Sequence, residues 1–373
     1  MSNRVERPRR ARVREKVLVG LSGGVDSSVA ALLLQEQGYT VSGAMMSVYD
    51  GPPGPAGANA CYDRAESADI EAAAGLCRDL GIPFRVFDLS GPYREIVLNY
   101  FRASYLSGQT PNPCVRCNQL LKFGLLPALA REAGMSHARF ATGHYARAEF
   151  SQQYSRPVLR RALDETRDQS YFLYRLSRAQ LAKSLFPLGE MRKNEVRALA
   201  ESRGLPMHAK PDSQDFFSGD YAELLKVAPR PGKIVNLEGQ VLGTHEGFWR
   251  FTPGQRRGLG VAASSPLYVL STDAARNEVL VGGREDGLVP ACRIEKARIN
   301  LPEALEEPDL RARLRSSQPP IPVKARAVSR GRFLVEFAEA QPAVAPGQSL
   351  VFCLGDLIVG GGVISGRHPP RPA

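Results

Sequence analysis

Short apolar runs alternate with amphipathic segments through the first part of the chain. Residues 16–21, KVLVGL, form a continuous apolar run with β-branched members, which is typical of a strand buried on both faces. The next segment, SSVAALLLQEQG, predicts a helix that ends at Gly38. The alternation continues through TVSGAMM, ESADIEAAAGLCRDLG, PFRVFDL, YREIVLNYFRASYLSG and RFATGHYA. This succession predicts an α/β domain with a doubly wound parallel sheet.

From about residue 222 the pattern changes to short apolar runs around turn residues, without a helical period. The clearest runs are KIVNLEGQVLGTHEG, LYVLSTDAARNEVLVGG, ARAVSRGRFLVEF and SLVFCLGDLIVGGGVI. They predict antiparallel hairpins in one or two small β domains. The last residues, RHPPRPA, are predicted to be disordered.

Composition indicates the net charge of the protein and the cellular compartment in which we expect it. Lys and Arg number 49 against 38 Asp and Glu, a formal net charge of +11 that favours a polyanionic partner such as nucleic acid. Part of this charge lies in the basic N-terminal tail, which on a simpler interpretation is only a solvated segment. No apolar run is long enough to cross a membrane, so we expect a cytoplasmic protein without a membrane partner. Six cysteines in 373 residues do not form a disulfide scaffold.

The turn between the first strand and the first helix has the composition of an anion site. In LSGGVDSSVA, Gly23 and Gly24 allow a tight turn, and Ser22, Ser27 and Ser28 supply hydroxyl donors at a helix N-terminus. The segment matches neither GxxxxGK[ST] nor GxGxxG, and it contains no lysine. The simpler alternative is a glycine-rich turn that caps a helix.

This turn resembles the pyrophosphate loop (PP-loop) of the N-type ATP pyrophosphatases, whose signature is Ser-Gly-Gly-x-Asp-Ser. Further motifs narrow the resemblance to the bacterial tRNA-uridine 2-sulfurtransferases, the tRNA 2-thiouridylases, over about residues 15–365. These motifs are TPNPCVRCN, ATGHYAR, RDQSYFLYRL, LFPLGE, KPDSQDF, FTPGQRRGLG and PGQSLVFCLGDLIVGGG.

The resemblance implies a domain plan and a reaction. It implies a basic tail (1–15), a pyrophosphatase catalytic domain (16–221), a central β domain (222–286), a C-terminal antiparallel β barrel (287–366) and a disordered tail (367–373). ATP with Mg²⁺ would adenylate the C2 oxygen of a wobble uracil, and sulfur would then displace AMP. The implied partners are the tRNA anticodon arm and either a sulfur donor protein or inorganic sulfide.

The resemblance also assigns residues to the two substrates. The ATP site would comprise Gly20, Leu21, Ser22, Gly23, Gly24, Val25, Asp26, Ser27, Ser28, Met46 and Gly143, with Asp26 holding Mg²⁺ directly or through water. The tRNA contacts would comprise Lys122, His144, Arg167, Asp168, Gln169, Arg256, Arg257, Arg313 and Arg315. The residues alone leave alternatives open: Met46 suits core packing, His144 suits a structural loop, and the arginines suit a solvated face.

The cysteines depart from the family pattern. The best-known members have Asp-x-x-Cys where this chain has Cys114-x-x-Cys117, and their second catalytic cysteine falls at Phe217. Cys61 follows the second predicted strand, and the carboxyl ends of parallel strands share one edge of a sheet, so Cys61, Cys114 and Cys117 are predicted to converge. Three thiolates suit an iron–sulfur cluster with one open iron, which is the first hypothesis.

Other assignments of these thiols stay open. Cys117 as a persulfide carrier with Cys114 as the resolving thiol is the second hypothesis, and zinc or two inert thiols remain beyond it. The other three cysteines are predicted to pack in cores: Cys77, Cys292 and Cys353. At the level of function, the alternatives are a PP-loop ligase for a small molecule and an RNA-binding module without ATP turnover.

Overall fold

The computed structural model describes residues 14–51, 60–212, 216–217 and 219–368. The α-helices are α1 (Val25–Glu36), α2 (Glu66–Asp79), α3 (Ser90–Tyr93), α4 (Asn99–Leu106), α5 (Pro113–Arg116), α6 (Leu126–Glu132), α7 (Arg178–Lys183), α8 (Lys193–Ser202) and α9 (Tyr221–Leu225). Two π-helical segments, Arg94–Leu98 and Cys117–Leu125, join α3 to α4 and α5 to α6. Short 3₁₀ turns are Ser170–Phe172, Pro206–Ala209, Phe248–Arg250, Glu285–Gly287 and Pro302–Glu306.

A five-stranded parallel sheet forms the centre of the N-terminal domain. Its strands, in spatial order, are β3 (Phe84–Asp88), β2 (Thr40–Ser47), β1 (Lys16–Leu21), β4 (Arg139–Thr142) and β7 (Ser184–Leu185). Every pairing between these strands is parallel. The predicted α/β class is therefore confirmed. The side chains of Val17, Leu18 and Val19 are fully buried, as expected for a strand covered on both faces.

The central and C-terminal segments form two further sheets. The central sheet has the order β10-β11-β8-β9, built from β8 (Gly232–Val235), β9 (Val241–His245), β10 (Tyr268–Asp273) and β11 (Glu278–Gly282). Strand β11 pairs parallel to β8, so this sheet is not made of hairpins alone. The C-terminal strands are β12 (Val289–Ile299), β13 (Arg311–Arg313), β14 (Ile321–Ser329), β15 (Arg332–Gln341), β16 (Ser349–Leu354) and β17 (Leu357–His368). They close into a barrel because β12 pairs with both β15 and β17.

One hairpin of the N-terminal segment belongs to the sheet of the barrel. Strands β5 (Arg147–Ser151) and β6 (Arg156–Arg160) pair with each other, and β6 pairs with the first residues of β17. Asp356 lies beside this junction and accepts hydrogen bonds from Arg147 and Arg160, both at 2.6 Å. The catalytic segment and the barrel are thus joined by backbone pairing.

The cores follow from this arrangement. One buried cluster covers one face of the parallel sheet and continues into the central sheet and the barrel, with Leu18, Val279 and Val351 among its members. A second cluster packs α1, α2 and α8 on the other face. Cys77, Cys292 and Cys353 are buried, which confirms their predicted packing role. In the described part of the chain, no helix is both long and apolar enough to span a bilayer.

Candidate functional site

The glycine-rich turn is organised by hydrogen bonds among its own residues. The Ser22 backbone N–H donates to Ser27 Oγ at 3.2 Å, and the hydroxyls of Ser27 and Ser28 donate to the Gly24 carbonyl at 3.1 and 2.9 Å. Gly23 has φ +68°, and a β-carbon there would lie 2.6 Å from the Asp69 carbonyl oxygen. Glycine is therefore required at this position both by conformation and by space.

A second glycine, Gly143, follows strand β4 directly and packs against the same turn. A β-carbon on Gly143 would lie 2.5 Å from the Ser27 backbone nitrogen, so no side chain fits there. Gly24 immediately precedes α1, and it offers no side chain to cap the helix. The first N–H groups of α1 are thus left for an anion, as the triphosphate of a nucleotide requires. These residues fit the predicted ATP site.

The end of β2 is fixed by a glutamate that the sequence did not single out. The Glu66 carboxylate accepts hydrogen bonds from the Ser47 hydroxyl and the Val48 backbone N–H, both at 2.6 Å. Met46, the predicted adenine contact, is partly buried here against the core. Core packing therefore accounts for part of its surface, and the adenine contact stays a prediction.

Asp26 is held by a buried lysine that sequence reasoning also missed. Lys193 Nζ donates to Asp26 Oδ1 and Oδ2 at 2.7 and 2.8 Å and lies 2.7 Å from Asp212 Oδ1. The Lys193 side chain is only 8% exposed. Tyr145 donates its hydroxyl proton to Asp26 Oδ1 at 2.9 Å. Both oxygens of Asp26 thus have partners within the protein, and a directly bound Mg²⁺ would share this carboxylate with Lys193 and Tyr145.

Further cations surround this carboxylate pair. Arg167 and Arg197 donate to Asp212 at 2.9 and 3.0 Å, and Lys210 is ion-paired with Asp69 beside Gly23. Burial opposes ionisation of Asp212, but hydrogen bonding and charge from Lys193, with the two arginines, hold its pKa below the ordinary value. The loop itself has no lysine, and these neighbours supply the positive charge around it.

A cavity of about 740 Å³ is lined by residues of the N-terminal, central and C-terminal segments. His144, the residue after Gly143, lies in its wall with Lys122 and Gln169. Many aromatic rings line it: Tyr93, Phe101, Tyr105, Tyr171, Phe172, Phe216 and Tyr221. The central sheet segment contributes Thr252–Gln255 and the barrel contributes Arg315, Ala345 and Gln348. A flat heterocyclic ring is the class of ligand that such walls accept.

The three predicted thiols all line this cavity. Cys117 is the first residue of the π-helical segment that follows α5. The side chain of Asn112 caps the N-terminus of α5. Cys61 is exposed, and its neighbour Tyr62 donates its backbone N–H to the Phe216 carbonyl at 2.8 Å. The loop carrying Cys61 is therefore attached to the segment of Phe217. Residues 52–59, which precede Cys61 in the same connection after β2, lie outside the described residues.

The cavity does not bring these thiols together as a metal site. Among the described residues there is no group of three or more His, Cys, Asp or Glu side chains that could hold a metal ion. The predicted convergence on one cavity is observed, but the arrangement does not fit an iron–sulfur cluster. We therefore derive no chemical step through a cluster.

The Lys122 side chain acts electrostatically on both the Cys117 thiol and the His144 imidazole of the cavity. Burial raises the pKa of the Cys117 thiol to about 11, while the Lys122 ammonium acts to lower it. Burial, with the same ammonium, holds the pKa of His144 well below its usual value. His144 is therefore a neutral imidazole at pH 7, and its Nδ1 lies 2.8 Å from Thr142 Oγ1. Lys122 is placed to favour a negative charge in the cavity.

We expect Lys122→Met to slow alkylation of Cys117 by iodoacetamide at every pH between 7 and 9. The charge loss raises the pKa of the Cys117 thiol further, so less thiolate is present. Labelling of the Cys117 peptide, followed by mass spectrometry, measures the rate. Lys122→Arg keeps the charge and serves as the control. Equal or faster labelling in Lys122→Met would contradict this electrostatic assignment.

The residues predicted to contact tRNA fall into two groups. Arg256 and Arg257 are exposed beside the cavity wall, and Arg315 reaches the cavity from the barrel. Gln169 lines the cavity, and its Oε1 accepts a hydrogen bond from the Tyr145 backbone N–H at 3.0 Å. Arg167 is exposed, and its guanidinium donates to Asp212. These positions are accessible to an RNA backbone, and their contacts remain predictions.

Arg313 and Asp168 form the second group, which is buried and paired in this structure. The Arg313 guanidinium lies 2.5 Å from Asp168 Oδ2, with side chains 5% and 0% exposed. Asp168 also accepts from the backbone N–H groups of Ala162 and Ser170. Strand β13 carries Arg313 inward, so the guanidinium is enclosed between barrel and catalytic segment. The pair ties the barrel to the catalytic segment, and its tRNA contact stays a prediction.

Known proteins resemble the chain over nearly its whole length. Family models described as the tRNA methyl transferase HUP domain, the tRNA methyl transferase PRC-barrel domain and the aminomethyltransferase beta-barrel domain match residues 15–217, 223–283 and 290–364. The tRNA-specific 2-thiouridylase MnmA of Endomicrobium trichonymphae is 43% identical, covering 94% of this chain and 98% of its own. Proteins of the same name from Synechococcus sp. (strain JA-2-3B'a(2-13)) and Roseiflexus castenholzii are 42% and 41% identical, covering 95% and 94% of this chain and 96% and 99% of theirs. The chain therefore belongs to the family of tRNA-specific 2-thiouridylases, enzymes of the tRNA sulfurtransferase class.

Proposed function

We propose that the protein catalyses ATP-dependent 2-thiolation of the wobble uridine of tRNA. One observation carries the proposal: the glycine-rich loop and the thiol-lined cavity are adjacent, since Gly143 packs on the loop and His144 lines the cavity. ATP bound at the loop would thus present its α-phosphate to a base held among the aromatic walls. The proposed reaction uses the three predicted domains: the catalytic domain (16–221), the central β domain (222–286) and the C-terminal β barrel (287–366).

The first step converts a poor leaving group into a good one. The uracil C2 oxygen attacks the α-phosphorus of ATP, the bond to the bridging oxygen breaks, and pyrophosphate leaves. The resulting C2–O–AMP adduct is open to attack at C2. Asp26 would help to hold Mg²⁺ on the phosphates, whose charge the metal neutralises. A base has to leave its stack to reach the cavity, which favours an unpaired anticodon nucleotide.

The second step transfers sulfur from a persulfide carried on one of the chain's own thiols. A Cys117 persulfide, loaded by a sulfur donor protein, attacks C2 with its outer sulfur, and the C2–O bond breaks as AMP leaves. The Cys114 thiolate then attacks Cys117 Sγ, which breaks the S–S bond and leaves the sulfur on C2 as the thiocarbonyl. The product disulfide between Cys114 and Cys117 is returned to two thiols by a thiol reductant.

The family models and the curated relatives name different reactions. The model descriptions refer to methyl transfer, whereas the relatives of about 40% identity over most of the chain are named 2-thiouridylases. Methyl transfer requires neither a phosphate loop nor a cavity with three thiols. The geometry of the site therefore favours thiolation over methylation.

The test is nucleoside mass spectrometry after incubation of the protein with unmodified tRNA, ATP, Mg²⁺ and a persulfide donor. We expect 2-thiouridine at the wobble position, with one AMP and one pyrophosphate released per thiolation. Pyrophosphate release that needs no tRNA would favour the small-molecule ligase. Binding of tRNA without any ATP turnover would favour the RNA-binding module.

Cys61→Ala separates the persulfide route from the cluster route. We expect the variant to retain thiolation within about twofold, because the two-thiol chemistry uses only Cys114 and Cys117. Iron and acid-labile sulfide are measured on the same anaerobic preparations, and both are expected to be far below one per chain. Loss of thiolation in Cys61→Ala together with loss of near-stoichiometric iron would restore the cluster hypothesis.

A further inference from the structure

Lys193 is a buried cation at a helix end where a cation is unfavourable. It is the first residue of α8, and the N-terminus of a helix carries partial positive charge. Its own backbone N–H donates to Asp164 Oδ2 at 3.0 Å, and its side chain is 8% exposed. A lysine is rarely buried unless it is paired. Its position therefore depends on the anions that it contacts.

Those anions place the Lys193 ammonium at the phosphate loop. Its three hydrogen-bond positions are taken by Asp26 Oδ1, Asp26 Oδ2 and Asp212 Oδ1, at 2.7 to 2.8 Å. Asp26 is the second residue of α1, directly after the glycine-rich turn. The ammonium is thus one hydrogen bond away from the helix terminus that would receive phosphate oxygens. The turn Ser22–Ser28 itself contains no basic residue.

We propose that Lys193 is a phosphate-binding residue of the ATP site, which exchanges one of its contacts with Asp26 for a phosphate oxygen. This inference rests on the proposed function and extends it. The exchange would release an oxygen of Asp26 for Mg²⁺. Asp212 would retain Lys193 during the exchange, because Arg167 and Arg197 fix that carboxylate at 2.9 and 3.0 Å.

The competing explanation is a purely structural ion pair that ties α8 to α1. The two explanations differ in how a loss of charge affects nucleotides with different numbers of phosphates. A structural tie distorts the loop for every nucleotide alike. A phosphate ligand interacts more strongly with ATP than with AMP, because the electrostatic attraction increases with the negative charge of the ligand.

The experiment compares binding of ATP, ADP and AMP, each with Mg²⁺, by titration calorimetry on the full chain. We expect Lys193→Met to weaken ATP binding by about tenfold or more, and AMP binding by much less. Lys193→Arg keeps the charge and should recover most of the ATP affinity. Lys233→Met removes an exposed lysine of the central sheet and should change no affinity.

The outcomes separate this inference from the function that it extends. An equal loss for ATP and AMP, or no loss for either, would overturn the phosphate-binding role while leaving the thiolation proposal intact. If the wild type binds no ATP, the proposed function itself fails. Should Lys193→Met not fold, Lys193→Gln provides the second test, by the same comparison of ATP with AMP. A loss of ATP affinity in Lys193→Gln no greater than the loss of AMP affinity would reject the inference.

Discussion

Cys117→Ala is expected to abolish tRNA thiolation while tRNA and ATP still bind. The side chain is the only one in the proposed mechanism that carries sulfur to the activated C2, and neighbouring groups cannot replace a missing nucleophile. We expect the rate to fall about a thousandfold or more, with dissociation constants for tRNA and ATP within about twofold of wild type. Thiolation is followed by nucleoside mass spectrometry, and binding by filter retention and calorimetry.

Two variants make this result interpretable. Cys77→Ala changes a thiol buried in the core between α2 and β2, whose pKa burial raises to about 12, so thiolation should be little affected. Cys114→Ala should still release AMP and pyrophosphate in a single turnover, but it should leave tRNA linked to the protein through the unresolved S–S bond. Multiple turnovers by Cys117→Ala would reject a thiol-based transfer at this position.

Asp168→Ala is expected to lower the free energy of unfolding by about 3–5 kcal/mol. The substitution leaves the guanidinium of Arg313 buried without its counterion, and it removes the acceptor of two backbone N–H groups. Urea denaturation gives the free energy of unfolding. Because the pair joins the catalytic segment to the barrel, the urea dependence also shows whether the two parts unfold together.

An exposed ion pair provides the comparison for Asp168. Glu149 pairs with Arg160 at 2.6 Å, but its side chain is 51% exposed, so Glu149→Ala should cost no more than about 1 kcal/mol. A cost for Asp168→Ala as small as that of Glu149→Ala would show that the buried pair is not a structural tie. Arg313 would then again be a candidate for RNA contact.

The features that could be predicted from the sequence are those encoded by neighbouring residues. The run KVLVGL, the glycines after it and the helix that follows lie within twenty positions, and strand, turn and helix were all found as predicted. The convergence of Cys61 with Cys114 and Cys117 on one cavity followed from parallel-sheet topology. The local sequence pattern was sufficient to predict the strand, turn and helix, and the topology of parallel sheets was sufficient to predict that the thiols line one cavity.

The features that could not be predicted depend on partners far along the chain. The segment LRARLRSS contains no sign of Asp168, which lies 145 positions before Arg313, so the sequence alone predicts an arginine that contacts tRNA or solvent. The sequence gives no sign that the β5–β6 hairpin joins the barrel, because its pairing partner, β17, begins almost two hundred residues later. Lys193 was missed in the same way, although a lysine in the first turn of a helix is a local sign that an anion lies nearby.

The most direct test of the account follows the oxygen that leaves the uracil. A tRNA carrying ¹⁸O at C2 of the wobble uridine is thiolated once, and the released AMP is analysed by mass spectrometry. The account predicts that AMP carries the label, because the C2 oxygen bonds to the α-phosphorus and leaves with it. Unlabelled AMP alongside 2-thiouridine would contradict the account, since the ATP would then have activated the sulfur donor or another group in place of the base.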